Sequence, residues 1–221
     1  MQERNVLVFT GGGDAGPLPA DDFELVIAAD SGLALASSLG RPVDLVVGDM
    51  DSVDMTALDA AAAAGARVER HDRDKDRTDL ELALDAARRH GASRVHVVGG
   101  AGGRLDHVLA NALCLAAEEW SALEIRATYG RARVWVVRTA ATMGGRPGEL
   151  VSLVPVGGRA TGVRTTGLRW RLGGDTLHPA SGRGISNEFA APRATVALDV
   201  GTLLVVAPGP ETQTGSGGMR E

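Results

Sequence analysis

The residues most able to do chemistry are aspartates crowded into one part of the chain. Residues 44–81 carry a net charge of −6, whereas the rest of the 221-residue chain carries +1. Asp49 and Asp51 lie two positions apart, directly after an apolar run. Alternate carboxylates in a tight loop can converge on a hard cation such as Mg²⁺. The alternative is structural, because Ser52 could cap a helix whose dipole favours nearby acids.

A second acidic motif, Asp72–Glu81, ends where a helix is expected to begin. It is not a calcium-binding EF-hand loop, because its sixth and twelfth positions lack the required Gly and Glu. Thr78 and Glu81 have the spacing of a capping box. Capping leaves the alternating acids and bases of Asp74–Arg77 unexplained. A helix N-terminus with both charge signs indicates a site where metal and polyphosphate meet.

Two glycine-rich loops follow predicted strands. Gly11–Gly16 fits the pattern GxGxxG, with Asp30 downstream, but two prolines interrupt the helix that a dinucleotide site needs. A turn or a phosphate-approach loop is the favoured interpretation. In Gly99–His107 the glycines allow close approach of a ligand to the backbone, Arg104 can pair with a phosphate, and Asp106 can accept hydrogen bonds.

Trp170 is notable because aromatic residues make up only 3% of the chain. It lies between Arg169 and Arg171 in an alternating pattern, which predicts a strand residue that fills a core. The more specific alternative is that Trp170 stacks on a flat heterocycle. The motif Ile185–Phe189 (ISNEF) is the second distinctive segment of this half.

The elements that must position these residues change character along the chain. The first half alternates β-branched runs with Ala/Leu-rich stretches, as βαβ units do. After about Tyr129, short strands with Gly/Pro turns indicate an antiparallel sandwich or barrel. We therefore expect an α/β fold, with a Rossmann-like parallel-sheet domain over 1–129, an all-β sandwich over 130–208 and a disordered tail over 209–221. Ligands bind such sheets at the carboxyl ends of the strands.

The apolar patterns also predict individual elements. The expected strands are Asn5–Phe9, Glu24–Ala28, Asp44–Val47, Arg67–Glu69, Arg94–Val98, Arg133–Arg138, Glu149–Pro155, Gly162–Thr165, Leu168–Leu172, Thr195–Asp199 and Leu203–Ala207. The expected helices are Ser31–Leu39, Val53–Ala64, Asp79–His90 and Arg104–Trp120.

Composition excludes several classes of protein. One cysteine, Cys114, cannot form an internal disulfide or a cysteine zinc cluster. A net charge of −5 argues against a nucleic-acid surface. The N-terminus is too short in apolar residues for a signal peptide, and no run approaches the ~18 residues of a membrane span. We expect a cytoplasmic protein without a membrane or nucleic-acid partner.

Six motifs, taken together and in order, resemble the thiamine pyrophosphokinase family. They are AADSG (Ala28–Gly32), VGDMDS (Val47–Ser52), DKDRTD (Asp74–Asp79), GGRLDH (Gly102–His107), GLRW (Gly167–Trp170) and ISNEF (Ile185–Phe189). The resemblance implies an α/β catalytic domain, a C-terminal β-sandwich and a homodimer with active sites between subunits. It also implies transfer of the diphosphoryl group of ATP to the hydroxyl of thiamine, giving thiamine diphosphate and AMP.

The resemblance also implies residue roles, with Mg²⁺ as cofactor and ATP as co-substrate. The catalytic set would be Asp49, Asp51, Asp76 and Asp79, of which Asp49, Asp51 and Asp79 would hold the metal. Nucleotide and polyphosphate contacts would come from Asp30, Ser31, Lys75, Thr78, Arg104 and Asp106. Trp170 would stack on thiamine, with Ser186 and Asn187 nearby. The acceptor of the hydroxyl proton would be Asp30, Asp76 or Asp79.

Two other functions fit the same residues. A related pyrophosphokinase could act on another heterocyclic alcohol, such as a pterin, with the same acidic motifs and a different Trp170 region. A non-catalytic nucleotide or metal sensor would need binding alone.

Overall fold

A computed structural model describes residues 4–12, 15–16, 18–73, 76–99 and 105–209. Its strands are β1 (Asn5–Phe9), β2 (Leu25–Ala29), β3 (Leu45–Gly48), β4 (Arg67–Arg70), β5 (Arg94–Val98), β6 (Glu124–Tyr129), β7 (Ala132–Val137), β8 (Ala140–Gly144), β9 (Leu150–Thr166), β10 (Gly173–Leu177), β11 (Asn187–Glu188), β12 (Arg193–Ala197) and β13 (Val200–Ala207). Its helices are α1 (Gly32–Ser38), α2 (Met55–Ala63), α3 (Asp79–Arg89) and α4 (Leu105–Cys114), and Glu118–Trp120 forms a 3₁₀ turn.

The first six strands form a parallel sheet in the order β4-β3-β2-β1-β5-β6. Helix α3 packs on one face through a buried stripe that includes Leu80 and Leu84, which join Val6, Val95 and Ile125 in the largest core cluster. Helices α1 and α2 contribute to smaller clusters on the other face. Parallel strands covered by helices place the loops after β1, β2 and β3 at one edge.

The remaining strands extend this sheet with antiparallel pairs. Strand β7 pairs with β6, β13 pairs with β7, and β9 pairs with β13. The 17-residue β9 pairs through Ser152–Val156 with β13 and through Arg164–Thr166 with β12, and β12 pairs with β8. A second core cluster, which includes Trp135, Leu153 and Phe189, fills the interior of this half. The fold is therefore mixed α/β around one large mixed sheet.

Most of the predicted elements are present, but three predictions are wrong. Strand β9 is continuous where two strands were expected, because Gly157 and Gly158 lie within it and make no turn. The predicted strand Leu168–Leu172 is irregular, and only Leu168 forms a bridge, with Phe189. Gly167 explains the bend, since its φ is +70° and a Cβ there would lie 2.1 Å from the Arg193 carbonyl.

The third wrong prediction is the helix that was expected to reach Trp120. Helix α4 ends at Cys114, and the chain then turns so that Leu115 and Trp120 enter the core. Helix α4 itself has no buried residue. Strands β6, β8, β10 and β11 were not predicted. In the described part of the chain, no helix is both long and apolar enough to cross a membrane.

Candidate active site

A cleft of about 630 Å³ opens at the carboxyl ends of β1, β2 and β3. It is lined by the loops after these strands, by the N-terminus of α3 and by one side of α4. Twelve of the lining residues are polar or charged side chains or glycines from predicted motifs: Gly11, Gly12, Asp30, Ser31, Asp49, Asp51, Ser52, Arg77, Thr78, Asp79, Asp106 and His107. The fold thus brings five separate sequence motifs to one cleft.

Asp30 is the buried carboxylate of this cleft. It follows β2 with a left-handed backbone (φ 44°), and its N–H donates to the Val47 carbonyl at 2.8 Å. It is 5% exposed, and its buried Oδ1 atom has no hydrogen-bond partner among the described residues. Burial raises the pKa of Asp30, and the charge of Asp79 raises it further. A cation beside such a carboxyl group would stabilise its ionised form.

The loop after β3 brings Asp49 and Asp51 to Asp30. Met50, between them, adopts a left-handed backbone (φ 65°), and the Asp51 N–H donates to Asp49 Oδ1 at 3.1 Å. One oxygen each from Asp30, Asp49 and Asp51 lies within 4.8 Å of the others. An all-oxygen group of this kind suits a hard cation such as Mg²⁺.

The side chains of Ser52 and Arg73 also contact this loop, both through Asp51. Ser52 donates its hydroxyl to Asp51 Oδ1 at 2.8 Å, and Arg73 pairs with Asp51 Oδ2 at 2.8 Å. The alternative role for Ser52, as a helix cap, is wrong, because α2 is capped by Asp54, which accepts from the Thr56 N–H at 2.8 Å. Sequence reasoning missed Arg73, although it lies in the alternating acidic and basic motif.

Two glycines allow the loops to approach one another. A Cβ at Gly11 would lie 2.0 Å from Ser31 Oγ, so the loop after β1 lies directly against the start of α1. A Cβ at Gly48 would lie 3.1 Å from both Asp30 Cβ and Asp79 Oδ1. Asp79 is thus a close neighbour of the carboxylate group.

The predicted capping box at the start of α3 is confirmed. Thr78 Oγ1 accepts from the Glu81 N–H at 3.3 Å, and Glu81 Oε2 accepts from the Thr78 N–H at 2.7 Å. Just before it, Arg77 pairs with Glu119 at 2.7 Å. The capping contacts keep the first turn of α3 at the edge of the cleft.

The remaining predicted polyphosphate contacts are only partly described. Asp106 and His107 of α4 line the cleft, whereas Asp76 is exposed and is not among its lining residues. Lys75 and Arg104 lie outside the described residues, as do Asp74 and the Gly13–Asp14 part of the first glycine loop.

Trp170 lies on a different surface from the carboxylates. Its side chain is 51% exposed, so the expectation of a core residue is wrong. The Arg169 guanidinium lies 4.7 Å from the ring centroid, and the Trp170 N–H donates to Asn187 Oδ1 at 3.1 Å. Ser186, with φ 57°, donates its N–H to Ser152 Oγ at 3.0 Å. Trp170, Ser186 and Asn187 therefore form one group, and none of them lines the acidic cleft.

A carboxylate cluster in the loops after parallel strands, in a mixed α/β fold, is typical of enzymes that bind phosphates through a metal. Matches to family models show which family of such enzymes the chain resembles. The model "Thiamin pyrophosphokinase, catalytic domain" matches residues 20–126, and "Thiamin pyrophosphokinase, vitamin B1 binding domain" matches residues 139–203. The chain belongs to the thiamin pyrophosphokinase family.

Individual relatives agree with these matches. A thiamine pyrophosphokinase of Bacillus subtilis (strain 168) is 26% identical over 197 residues, which cover 84% of this chain and 88% of the relative. The crystal structure of thiamine pyrophosphokinase from Bacillus subtilis has a TM-score of 0.78 at 24% identity, covering 94% of this chain and all of that one. The structure from Geobacillus thermodenitrificans has a TM-score of 0.73 at 25% identity, covering 94% of this chain and 99% of that one.

Proposed function

We propose that this chain transfers the diphosphoryl group of ATP to the hydroxyl of thiamine, giving thiamine diphosphate and AMP. The observation that carries the proposal is the group formed by Asp30, Asp49 and Asp51. Apart from Thr10, Gly11 and Gly12, the residues that line the cleft belong to the segment that the catalytic-domain model matches. Transfer of this kind needs positioning and charge neutralisation more than covalent help from the protein.

The chemistry of the carboxylates fits Mg²⁺. All the ligand atoms are oxygens, and the buried Asp30 Oδ1 has no hydrogen-bond partner in the part of the chain that the structure describes. We expect Asp49 and Asp51 to hold the metal with Asp30, and Asp79 to complete the group from the start of α3. Bound there, Mg²⁺ would neutralise phosphate charge.

Residues around the carboxylates would place the nucleotide. Backbone N–H groups at the start of α3, next to Thr78, favour a phosphate, and Ser31 lies across the cleft after β2. We propose Lys75, Arg104 and Asp106 as further polyphosphate contacts, and Asp76 as a catalytic acid beside them. The candidates for accepting the hydroxyl proton of thiamine are Asp30, Asp76 and Asp79.

The thiamine ring would stack on Trp170. Half of this side chain is accessible, and it belongs to the segment that the vitamin B1 binding model matches. Asn187 holds the Trp170 backbone from both sides, and Ser186 follows the same turn. Rigid placement of an exposed aromatic ring is what stacking on a flat heterocycle requires.

A homodimer would bring the acidic cleft of one copy next to the Trp170 surface of the other. Helix α4 lines the acidic cleft, has no buried residue, and exposes Leu105, Leu109 and Leu113 four positions apart. A ten-residue helix without buried contacts gains little stability by itself. We propose that a second copy covers this stripe and brings its own Trp170 to the cleft, so that active sites lie between subunits.

We also propose the division of the chain into a Rossmann-like domain over 1–129 and a β-sandwich over 130–208. It is supported by the gap between the two family models, which falls between residues 126 and 139. The tail over 209–221 lies outside the described residues except for Gly209. The cytoplasmic location stays a prediction.

Formation of AMP tests the function. The protein is incubated with ATP, Mg²⁺ and thiamine, and AMP and thiamine diphosphate are followed by chromatography. We expect both products in equal amounts, and neither when EDTA replaces Mg²⁺. AMP formed with a pterin alcohol and not with thiamine would contradict the proposal in favour of the related pyrophosphokinase. Binding of ATP without turnover of either alcohol would favour the sensor. The family match favours thiamine.

A further inference from the structure

A second and larger cavity lies on the opposite face of the sheet from α3. Its volume is about 1030 Å³, and it shares no lining residue with the acidic cleft. Along β5 and β6, His96, Arg126 and Thr128 line the cavity, whereas Val95 and Ile125 alternate with them and enter the α3 core. The cavity is therefore a gap in the cover of one sheet face.

The gap has a structural cause. Between β1 and β2, the described residues form no helix, so this connection supplies no described helix to cover β5 and β6. One wall is lined by Ala15, Gly16, Leu18 and Pro19, and the other by Gly145, Arg146 and Glu149. Trp135 of the second core cluster also lines the cavity. The sheet contributes the polar side chains of His96, Arg126 and Thr128, and apolar side chains such as Val134 and Leu18 line the cavity beside them.

The lining of this cavity is positively charged, whereas the chain as a whole is negatively charged. Arg126, Arg131, Arg133 and Arg146 line it against two acids, Asp21 and Glu149, in a protein with a net charge of −5. Burial lowers the pKa of His96 to about 4, so the imidazole on the cavity floor is neutral at pH 7. Its Nε2 atom and Thr128 Oγ1 lie 2.8 Å apart in a hydrogen bond.

Of the four arginines that line the cavity, two form ion pairs with described residues. Arg133 is fixed, because it pairs with Glu149 at 2.5 Å, donates to the Gly144 carbonyl at 2.8 Å and lies 5.3 Å from the Trp135 ring centroid. Arg126 pairs with Glu124 at 2.6 Å. The other two guanidinium groups, of Arg131 and Arg146, have no hydrogen-bond or ion-pair partner among the described residues.

We propose that this cavity binds a phosphorylated small molecule at a site independent of the acidic cleft. Guanidinium groups complement phosphate oxygens in charge and in geometry, and those of Arg131 and Arg146 are not engaged by any described residue. The cavity is at the upper end of the size range of small-molecule sites. Its arginines supply the positive charge themselves, so binding there needs no metal. The acidic cleft, in contrast, repels a phosphate unless a cation is present.

Inorganic pyrophosphate in the presence of EDTA is the probe that separates the two sites. Isothermal titration of the full chain is expected to show saturable binding of one pyrophosphate per chain. The variant Arg131→Gln/Arg146→Gln is expected to bind at least about tenfold more weakly. The matched variant Arg67→Gln/Arg159→Gln removes the same charge from exposed positions outside the cavity and is expected to bind like the unmodified protein. Asp51→Asn is also expected to bind normally.

Three results would overturn the proposal. The first is no saturable binding up to about 10 mM pyrophosphate. The second is equal weakening in the two double variants, which would mean attraction by net charge alone. The third is loss of binding in Asp51→Asn, which would place the pyrophosphate in the acidic cleft. Thermal unfolding of each variant confirms that it is folded before titration. None of these outcomes depends on whether the chain phosphorylates thiamine.

Discussion

Asn187 and Trp170 are joined by two hydrogen bonds in opposite directions. The Trp170 N–H donates to Asn187 Oδ1 at 3.1 Å, and Asn187 Nδ2 donates to the Trp170 carbonyl at 2.7 Å. Asn187 is 4% exposed, whereas the Trp170 side chain is 51% exposed. A buried amide therefore fixes the backbone of a residue whose ring faces solvent.

Replacing Asn187 by alanine is expected to loosen Trp170. The change removes the side-chain partner of three backbone groups, the Trp170 N–H, the Trp170 carbonyl and the Glu188 N–H, which costs about 1–3 kcal/mol in the free energy of unfolding. We expect the KM for thiamine to rise, and the KM for ATP to change little. Urea unfolding and steady-state kinetics measure both effects. Asn187→Asp keeps the acceptor and is expected to have a smaller effect, so equal kinetics for the two variants would contradict this role.

Replacing Trp170 by alanine is expected to weaken thiamine binding without unfolding the protein. The ring is half-exposed, and its contact with Arg169 contributes less than about 1 kcal/mol. Loss of stacking is expected to raise the KM for thiamine by about tenfold. Trp170→Phe retains an aromatic face and is expected to recover most of the affinity. An unchanged KM in the alanine variant would remove Trp170 from the thiamine site.

Asp51→Asn tests the metal group. The substitution removes one of three converging carboxylate charges, and we expect activity at saturating ATP to fall by at least about a hundredfold. The Mg²⁺ concentration needed for half-maximal rate should rise as well. Asp59→Asn, an exposed acid of α2, makes the same change of charge and is expected to keep full activity. Full Mg²⁺-dependent activity of Asp51→Asn would show that the metal assignment is wrong.

The parts of the fold that could be predicted from the sequence are those decided locally. Strand β1 and strand β5 were predicted with their bounds, because each is a short β-branched run bounded by turns. Strand β9 was divided in error, because its glycine pair resembles a turn. Its pairing with β13 and then β12 is set by residues far away in sequence, which local patterns do not contain.

In the candidate site, too, local features were predicted and long-range ones were not. The spacing of Asp49 and Asp51 predicted that their carboxylates would meet, because both belong to one loop. Asp30 had been expected near the nucleotide and as a candidate proton acceptor, but not among the metal-binding carboxylates. Its place in this group depends on β2 lying beside β3, where the Asp30 N–H donates to the Val47 carbonyl. Strand order is a long-range property, so the sequence alone did not place these three side chains together.

Leu109→Glu tests the exposed face of α4. Leu109 is 53% exposed, so a glutamate there is tolerated in a single copy but would be buried in the proposed dimer. We expect a folded monomer by analytical ultracentrifugation, with loss of diphosphotransferase activity. Met55→Glu, at a residue of α2 that is 51% exposed, is the matched control and should remain dimeric. A Leu109→Glu variant that stays dimeric would show that α4 is not the interface.

His96 is expected to make the protein less stable in mild acid. The pKa of His96 is lowered from 6.5 to about 4, mainly by burial; the charge of Asp21 opposes this shift, and the charge of Arg126 adds to it. Between these two pH values the unfolded chain binds a proton at His96 that the folded protein excludes. The free energy of unfolding should therefore fall from about pH 6.5 to about pH 4, by at most about 3 kcal/mol, and this contribution should be constant outside that window. Urea unfolding at several pH values should give a shallower slope for His96→Gln than for the unmodified protein, whereas the exposed His178→Gln should keep the original slope. An identical slope in His96→Gln would mean that other groups cause the acid sensitivity.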